Sequence, residues 1–303
     1  MKRGARSRFI FFCLLPATLL YVPFVVLPSL RAFGYSLEKW NGFSERKFVG
    51  MDNFRKVFSD PIFYAALKHN AFLFIAGGTI TLLLALIFAN LLHRGVRGAT
   101  VFRVAFFFPN VIASVAVASL WILIYSASSY GVANALLQTV QRGLDGLGVE
   151  FMAGKLPFAF AGSENLLYSI IPMLVWMATG FYMVLFLAAM ESIPPELYEA
   201  AKLDGATGPR QFWHVTLPLV REVLVVGVVF FIISSAKFFD AIWVMNNEYP
   251  TPDTHVLATV LYQKVFSEYT VGYAAAVAVI LFALIFLATL ITLRWSRREA
   301  LEY

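Results

Sequence analysis

Charged residues are absent from several long intervals of this chain. Phe9 to Leu30 carries none, nor do Asn70 to Leu92, Val104 to Gln141, Asn165 to Met190 and Tyr269 to Leu293. Val223 to Asn247 is apolar apart from Lys237 and Asp240. A helix needs about 20 apolar residues to cross the hydrocarbon of a bilayer, so the pattern predicts six crossings, approximately 9–30, 70–92, 104–125, 165–190, 219–245 and 269–293. Backbone polar groups in lipid must pair within their own segment, which makes each crossing helical. The expected class is therefore all-α, a polytopic membrane protein with residues 1–303 as one transmembrane domain. The interval Val104 to Gln141 is too long for one crossing. Its helix is expected to end near Tyr125, followed by a Ser/Gly-rich loop (SASSYGVAN) and a short interfacial helix (ALLQTV).

Composition agrees with this pattern. The 303 residues are 60% hydrophobic and 14% charged, and the mean hydropathy is +0.74; a soluble domain of this size needs more polar surface. The net charge of +6 does not imply nucleic-acid binding, because the basic clusters flank apolar runs: Lys2, Arg3, Arg6 and Arg8; Arg94, Arg97 and Arg103; Arg294, Arg297 and Arg298. The first run has a basic start like a signal peptide, but no small-residue cleavage site follows and the run holds Pro16 and Pro23, so it is read as a retained helix. An even number of crossings puts both termini on one side, and the basic tails and the Leu92–Arg103 loop make that side the cytoplasm. The loop after the first crossing disagrees, since it carries Lys39, Arg46, Lys47, Arg55 and Lys56 on the outer side. Within it, MDNFRKVFSDPIFYAALKHN reads as an amphipathic helix lying along the membrane. The single cysteine, Cys13, excludes an internal disulfide.

One polar segment interrupts the apolar pattern: ELYEAAKLDGATGPRQFWHVTLP, residues 196–218, between the fourth and fifth crossings. Pro194 and Pro195 suit a helix start, where a missing N–H costs little. Glu196 and Glu199 lie near the favourable end of the helix dipole. Asp204-Gly205 stops the helix, glycine supplying the left-handed residue that helix C-termini need. Thr207 and Pro209 begin a second short helix, and Leu217-Pro218 leads into the fifth crossing. The expected product is a helix–turn–helix elbow on the cytoplasmic side, with small Ala200 and Ala201 on its surface.

This segment resembles the EAA loop of ABC importer permeases, whose pattern is EAA, three residues, Gly, nine residues, Ile, one residue, Leu-Pro. Here it reads Glu199-Ala200-Ala201, Gly205, Val215 in place of Ile, and Leu217-Pro218. Around it, FVGMDNFRKVF, FRVAFFFPNVIASVAVASLW, AAMESIPPELYEAAKLDGA and GYAAAVAVI look like the carbohydrate-uptake branch, resembling the maltose and glycerol-3-phosphate permeases. That branch carries a Thr-x-Gly-Gly-Pro run after the fifth crossing, where this chain has NNEYPTPDTHVLATVLY. The resemblance implies that the elbow is a coupling helix docked on a cytoplasmic ATPase. Glu199 would contact the ATPase, Ala200 and Ala201 would permit close packing, and Asp204-Gly205 would make the turn. The implied partners are a second homologous permease, two ATPase subunits, an extracytoplasmic solute-binding protein and membrane lipid. No phosphate loop, metal-ligand spacing or nucleophile elbow occurs in the chain. It is therefore expected to be non-catalytic and free of cofactors, with ATP and magnesium held by the ATPase. The competing class is an ion-coupled secondary transporter, against which the lack of a visible internal repeat counts.

Ionisable residues inside a membrane mark pathways or partner contacts. Ser234, Ser235, Lys237 and Asp240 cluster in the fifth crossing, with Lys237 and Asp240 three apart on one helix face. Two readings stay open. The face lines a translocation path, its serines bonding sugar hydroxyls; or it is a helix–helix contact near the outer interface with Lys237 reaching to the surface. Lys237 would also suit an anionic solute such as a sugar phosphate. Asn110, Trp176 and Tyr182 are further path candidates, and Gly180 reads as a helix-packing residue.

Overall fold

The structure is a computed structural model that describes residues 3–128, 130–145, 156–235 and 238–296. The chain forms two compact units, Met1–Tyr64 with Val260–Leu284, and Ala65–Thr259 with Ile285–Tyr303. Apart from a two-stranded hairpin, the regular elements among the described residues are helices.

Four helices are long and apolar enough to cross a membrane: α1 (apolar stretch Ile10–Tyr35), α3 (Pro61–His93), α7 (Leu166–Glu191) and α13 (Val271–Ser296). At 1.5 Å per residue, 26 residues of α7 make about 39 Å of helix, enough for the roughly 30 Å hydrocarbon layer with some tilt. Two bent pairs bring the total to six if each counts as one span. The first pair is α4 (Ala99–Val111) and α5 (Ser114–Ile124), at 98°. The second is α9 (Gly208–Leu219) and α10 (Arg221–Ser235), at 69°; α8 (Pro195–Leu203) precedes it and α11 (Asp240–Met245) follows. The remaining helices are α2 (Asp52–Ser59), α6 (Val132–Asp145) and α12 (Leu257–Phe266).

The helices are shorter than the charge-free intervals where the chain breaks or bends. The 104–125 stretch is two helices in place of one rod, with Ile112 and Ala113 extended between them. The 219–245 stretch is likewise interrupted: α10 ends at Ser235, and Phe238 and Phe239 form a turn before α11. Its approach bends at Val220 after a π-helical turn over Phe212–Thr216, where the N–H of Leu217 reaches back to Phe212 O. Pro218 follows, and proline with a π-turn is a sufficient cause for a kink. The segment expected as one amphipathic helix over 51–70 is two. Asp60 precedes Pro61 and is held extended, and its Oδ1 accepts the Ile62 N–H at 2.8 Å, capping α3. The interfacial helix expected at ALLQTV is the longer α6.

In the larger unit α7 is the central post, packed against α3 and α4. Small residues set that contact: Ala85 and Ala89 of α3 are fully buried. A Cβ at Gly180 would stand 1.9 Å from Phe106 O and 2.8 Å from Phe107 Cα. The backbones of α4 and α7 therefore touch, which only glycine permits there. One core cluster runs through Tyr182, Met183, Phe186 and Met190 of α7 to Phe231 of α10. A second joins Met173 and Ile170 to Val117 of α5 and Ile242 of α11.

The smaller unit contains strands β1 (Glu38–Lys39) and β2 (Lys47–Phe48), antiparallel with Glu38 opposite Phe48 and Lys39 opposite Lys47. Buried Asn53 of α2 donates to Ser36 O and Glu38 O, both at 2.9 Å, pinning the hairpin to that helix. The Gly272 N–H donates to Trp40 O at 3.2 Å, and Tyr273 donates to Asp60 Oδ2 at 2.6 Å.

Candidate functional site

The polar segment folds as an elbow of α8, a turn and the start of α9. Pro195 opens α8, and Gly205 closes it with φ +78°. Behind that left-handed residue the Ala206 N–H bonds Ala201 O at 2.9 Å and the Gly205 N–H bonds Lys202 O at 3.0 Å. This is the paired Schellman arrangement, which satisfies two carbonyls at the helix end. Thr207 stands at the N-cap of the second arm as expected, but its side chain makes no cap bond.

Glu199, Ala200, Asp204 and Gly205 are exposed and Ala201 is half-buried. No ion pair joins Glu199 to Lys202 among the described residues, so the carboxylate stays presented outward. Leu203, which no sequence motif singles out, is 90% exposed between Lys202 and Asp204. A leucine held in that position within a charged turn forfeits the roughly 2 kcal/mol its burial would contribute. Trp213, 63% exposed, lies on the second arm.

The elbow is fastened to the helices beneath it. The Tyr198 and Thr216 hydroxyls bond at 3.0 Å across its two arms, and the Tyr198 ring packs 5.5 Å from that of His93 at the end of α3. Arg94 Nη2 donates to Gly208 O at 2.6 Å. Arg103 pairs with Glu191 at 2.5 Å, both half-exposed, a contact worth under about 1 kcal/mol in that setting. A cavity of about 270 Å³ lies under the joint, bordered by Asn90, Arg94, Tyr198 and Gln211.

The other candidate is a cavity of about 360 Å³ in the same unit, beside the break between α4 and α5 and the Phe238–Phe239 turn that precedes α11. It brings together Asn110, Tyr182, Ser234 and Asp240 from the predicted set, among Met173, Met177, Phe181 and Phe238. Ser234 and the Tyr182 phenol both line it. Ser235 is buried with its hydroxyl bonded to Ile232 O at 2.8 Å and does not line the cavity. Nor does Trp176, which is 40% exposed and lies 6.3 Å from the Trp121 ring. Lys237 lies outside the described residues, so its expected pairing with Asp240 is not assigned. Asp240 starts a new helix rather than continuing the one that holds Ser234, and its carboxylate accepts a hydrogen bond from Ser114. Ser114 was not predicted. Its only sequence signal is a lone hydroxyl five residues after a proline in an apolar run. Chemically the cavity offers hydroxyls, an amide and one carboxylate against aromatic and thioether walls, a surface suited to a polyhydroxylated solute.

Known proteins give the same frame. A family model described as binding-protein-dependent transport system inner membrane component matches residues 81–300. The chain is 31% identical over 288 residues to the probable ABC transporter permease protein YurN of Bacillus subtilis (strain 168), covering 94% of each. It is 34% identical to the diacetylchitobiose uptake system permease protein NgcF of Streptomyces coelicolor, over 87% of this chain and 75% of that one. To the multiple sugar-binding transport system permease protein MsmF of Streptococcus mutans it is 28% identical over 92% of each. The fold matches a chain of a bacterial alginate ABC transporter, solved in complex with an alginate pentasaccharide-bound periplasmic protein. The TM-score is 0.77 at 23% identity, over 98% of this chain and 96% of that chain.

Proposed function

The chain belongs to the family of binding-protein-dependent transport system inner membrane components, and from that premise we propose the following role. It is one permease of an ATP-driven importer for a sugar, oligosaccharide or related polyol. It forms a single transmembrane domain of six crossings, with both termini in the cytoplasm. The chain itself performs no chemistry; a second homologous permease completes the path, two ATPase subunits hold ATP and magnesium, and an extracytoplasmic binding protein delivers the solute. The relatives' uptake of diacetylchitobiose and multiple sugars supports the solute class.

The carrying observation is the elbow, with Leu203 set out at 90% exposure beside Glu199. It has the form of a docking knob: an apolar side chain, small Ala200 and Ala201 that let a partner approach, and a turn fixed by Gly205. Arg94 follows the second crossing and Gly208 the fourth, so their 2.6 Å contact supports placing both loops on one face, as alternating crossings require. ATP-driven closure of the ATPase pair pushes the elbow. The Arg94 and Tyr198 contacts pass that movement to α3 and α9, and the membrane helices rock between two arrangements. Solute passes through the cavity at Asn110, Ser114, Tyr182, Ser234 and Asp240.

The test is reconstitution of the complete transporter with Glu199→Ala or Gly205→Val in this chain. Loss of solute-stimulated ATP hydrolysis, with the complex still assembled, is the expected result. Unchanged hydrolysis, with uptake that follows a proton gradient, would return the reading to a secondary transporter.

A further inference from the structure

The hairpin register places Lys39 directly opposite Lys47. Cross-strand partners share one face of a hairpin at about 5 Å between Cβ atoms, and like charges at that spacing repel. The neighbouring charges have found partners. Arg46 lies 3.8 Å from Glu38 with its guanidinium over the Tyr35 and Trp40 rings, and Lys56 pairs with Asp52 at 3.2 Å. Lys264 pairs with Glu268 at 2.7 Å. Neither Lys39 nor Lys47 has an ion-pair partner within 4 Å among the described residues, and both are exposed. The turn between the strands carries Phe43, 84% exposed, and Phe48 at the hairpin's end is 77% exposed. Trp40 donates to Ser44 O at 3.1 Å and Asn41 Oδ1 accepts the Phe43 and Ser44 N–H groups, so the turn is braced rather than loose. A two-residue ladder has little stability to spare, and setting two lysines opposite each other uses some of it.

We propose that this lysine pair and Phe43 form a docking point for an acidic patch on the solute-binding protein. A carboxylate between the two ammonium groups would relieve their repulsion, and Phe43 would enter an adjoining apolar pocket, as a central aromatic anchor with charged neighbours does in protein interfaces. The proposal rests on the transport reading above, which puts the loop after the first crossing outside the cell and requires a binding protein there. The charge of the hairpin selects that partner's chemistry, because complementary charge sets encounter and orientation.

The test uses the complete transporter in nanodiscs and the purified solute-binding protein of the same importer, comparing wild type with Lys39→Glu/Lys47→Glu and with Phe43→Ala. The charge reversal should weaken binding at least tenfold at physiological salt, while basal ATP hydrolysis and subunit assembly stay unchanged. The wild-type affinity should fall steeply with added salt, and reversal of an acidic residue on the binding protein should restore the double mutant. Unchanged affinity in the double mutant overturns the docking assignment alone. So does a loss of binding by the double mutant that appears in nanodiscs containing phosphatidylglycerol and not in nanodiscs of neutral lipid, which would assign the lysines to lipid. Absence of any binding by the wild type would overturn the transport reading instead.

Discussion

Arg94 and Gly208 meet at 2.6 Å, guanidinium to carbonyl, across 114 residues of sequence. The bond joins the end of the second long helix to the first residue of the elbow's second arm. A charge-assisted bond of this kind is short and directional, and in the proposed role movement of the elbow would reach α3 through it. Arg94→Met keeps the apolar stem and removes the bond. Solute-stimulated ATP hydrolysis should fall several-fold while ATPase binding, measured by co-purification, is retained.

Leu203 supplies a separate test of docking. At 90% exposure it supports nothing in the isolated fold, so Leu203→Ala should leave thermal unfolding of the detergent-solubilised chain unchanged. An exposed apolar anchor at an interface contributes on the order of 1–2 kcal/mol. Affinity for the ATPase should therefore drop roughly tenfold. Unchanged affinity would remove Leu203 from the interface.

Gly205 and Gly180 should behave differently although both are glycines. Gly205 holds φ +78° with nothing near its absent Cβ, so Gly205→Ala costs about 1 kcal/mol of backbone strain and acts on coupling. A Cβ at Gly180 would meet the Phe106 carbonyl at 1.9 Å, so backbone must move. Overpacking of this kind costs about 2 kcal/mol or more, and Gly180→Ala should lower the unfolding temperature and the yield of assembled complex. Gly143, helical and with nothing within 4 Å, is the control, and Ala there should leave the yield and unfolding temperature no lower.

Asp240 and Ser114 test the cavity. Asp240→Ala removes both the acceptor for Ser114 and an acidic group at a helix start. Solute uptake should fall at least tenfold, with basal ATP hydrolysis preserved. Ser114→Ala should give a smaller loss, and Tyr182→Phe a change in which solutes compete. If uptake and competition are the same in all three, the solute takes another route.

How much of this was legible in the residues can be said element by element. The absence of charge over 165–190 and 269–293 fixed α7 and α13 to within three residues, because hydrocarbon tolerates little else. Pro195 and Asp204-Gly205 fixed the elbow's first arm, because proline and left-handed glycine act on their own backbone. Hydropathy sums along the chain and is blind to direction, so the 98° bend at Ile112–Ala113 and the turn at Phe238–Phe239 left no trace in it. Those breaks depend on groups that meet only when the chain is packed, such as Ser114 with Asp240, or Phe106 against Gly180. The sequence alone decided which stretches could enter a membrane and where the polar elbow falls between them. Tertiary structure alone decided where the helices break and which isolated polar groups face one cavity, since a buried hydroxyl or carboxylate must find its partner wherever packing brings one within reach.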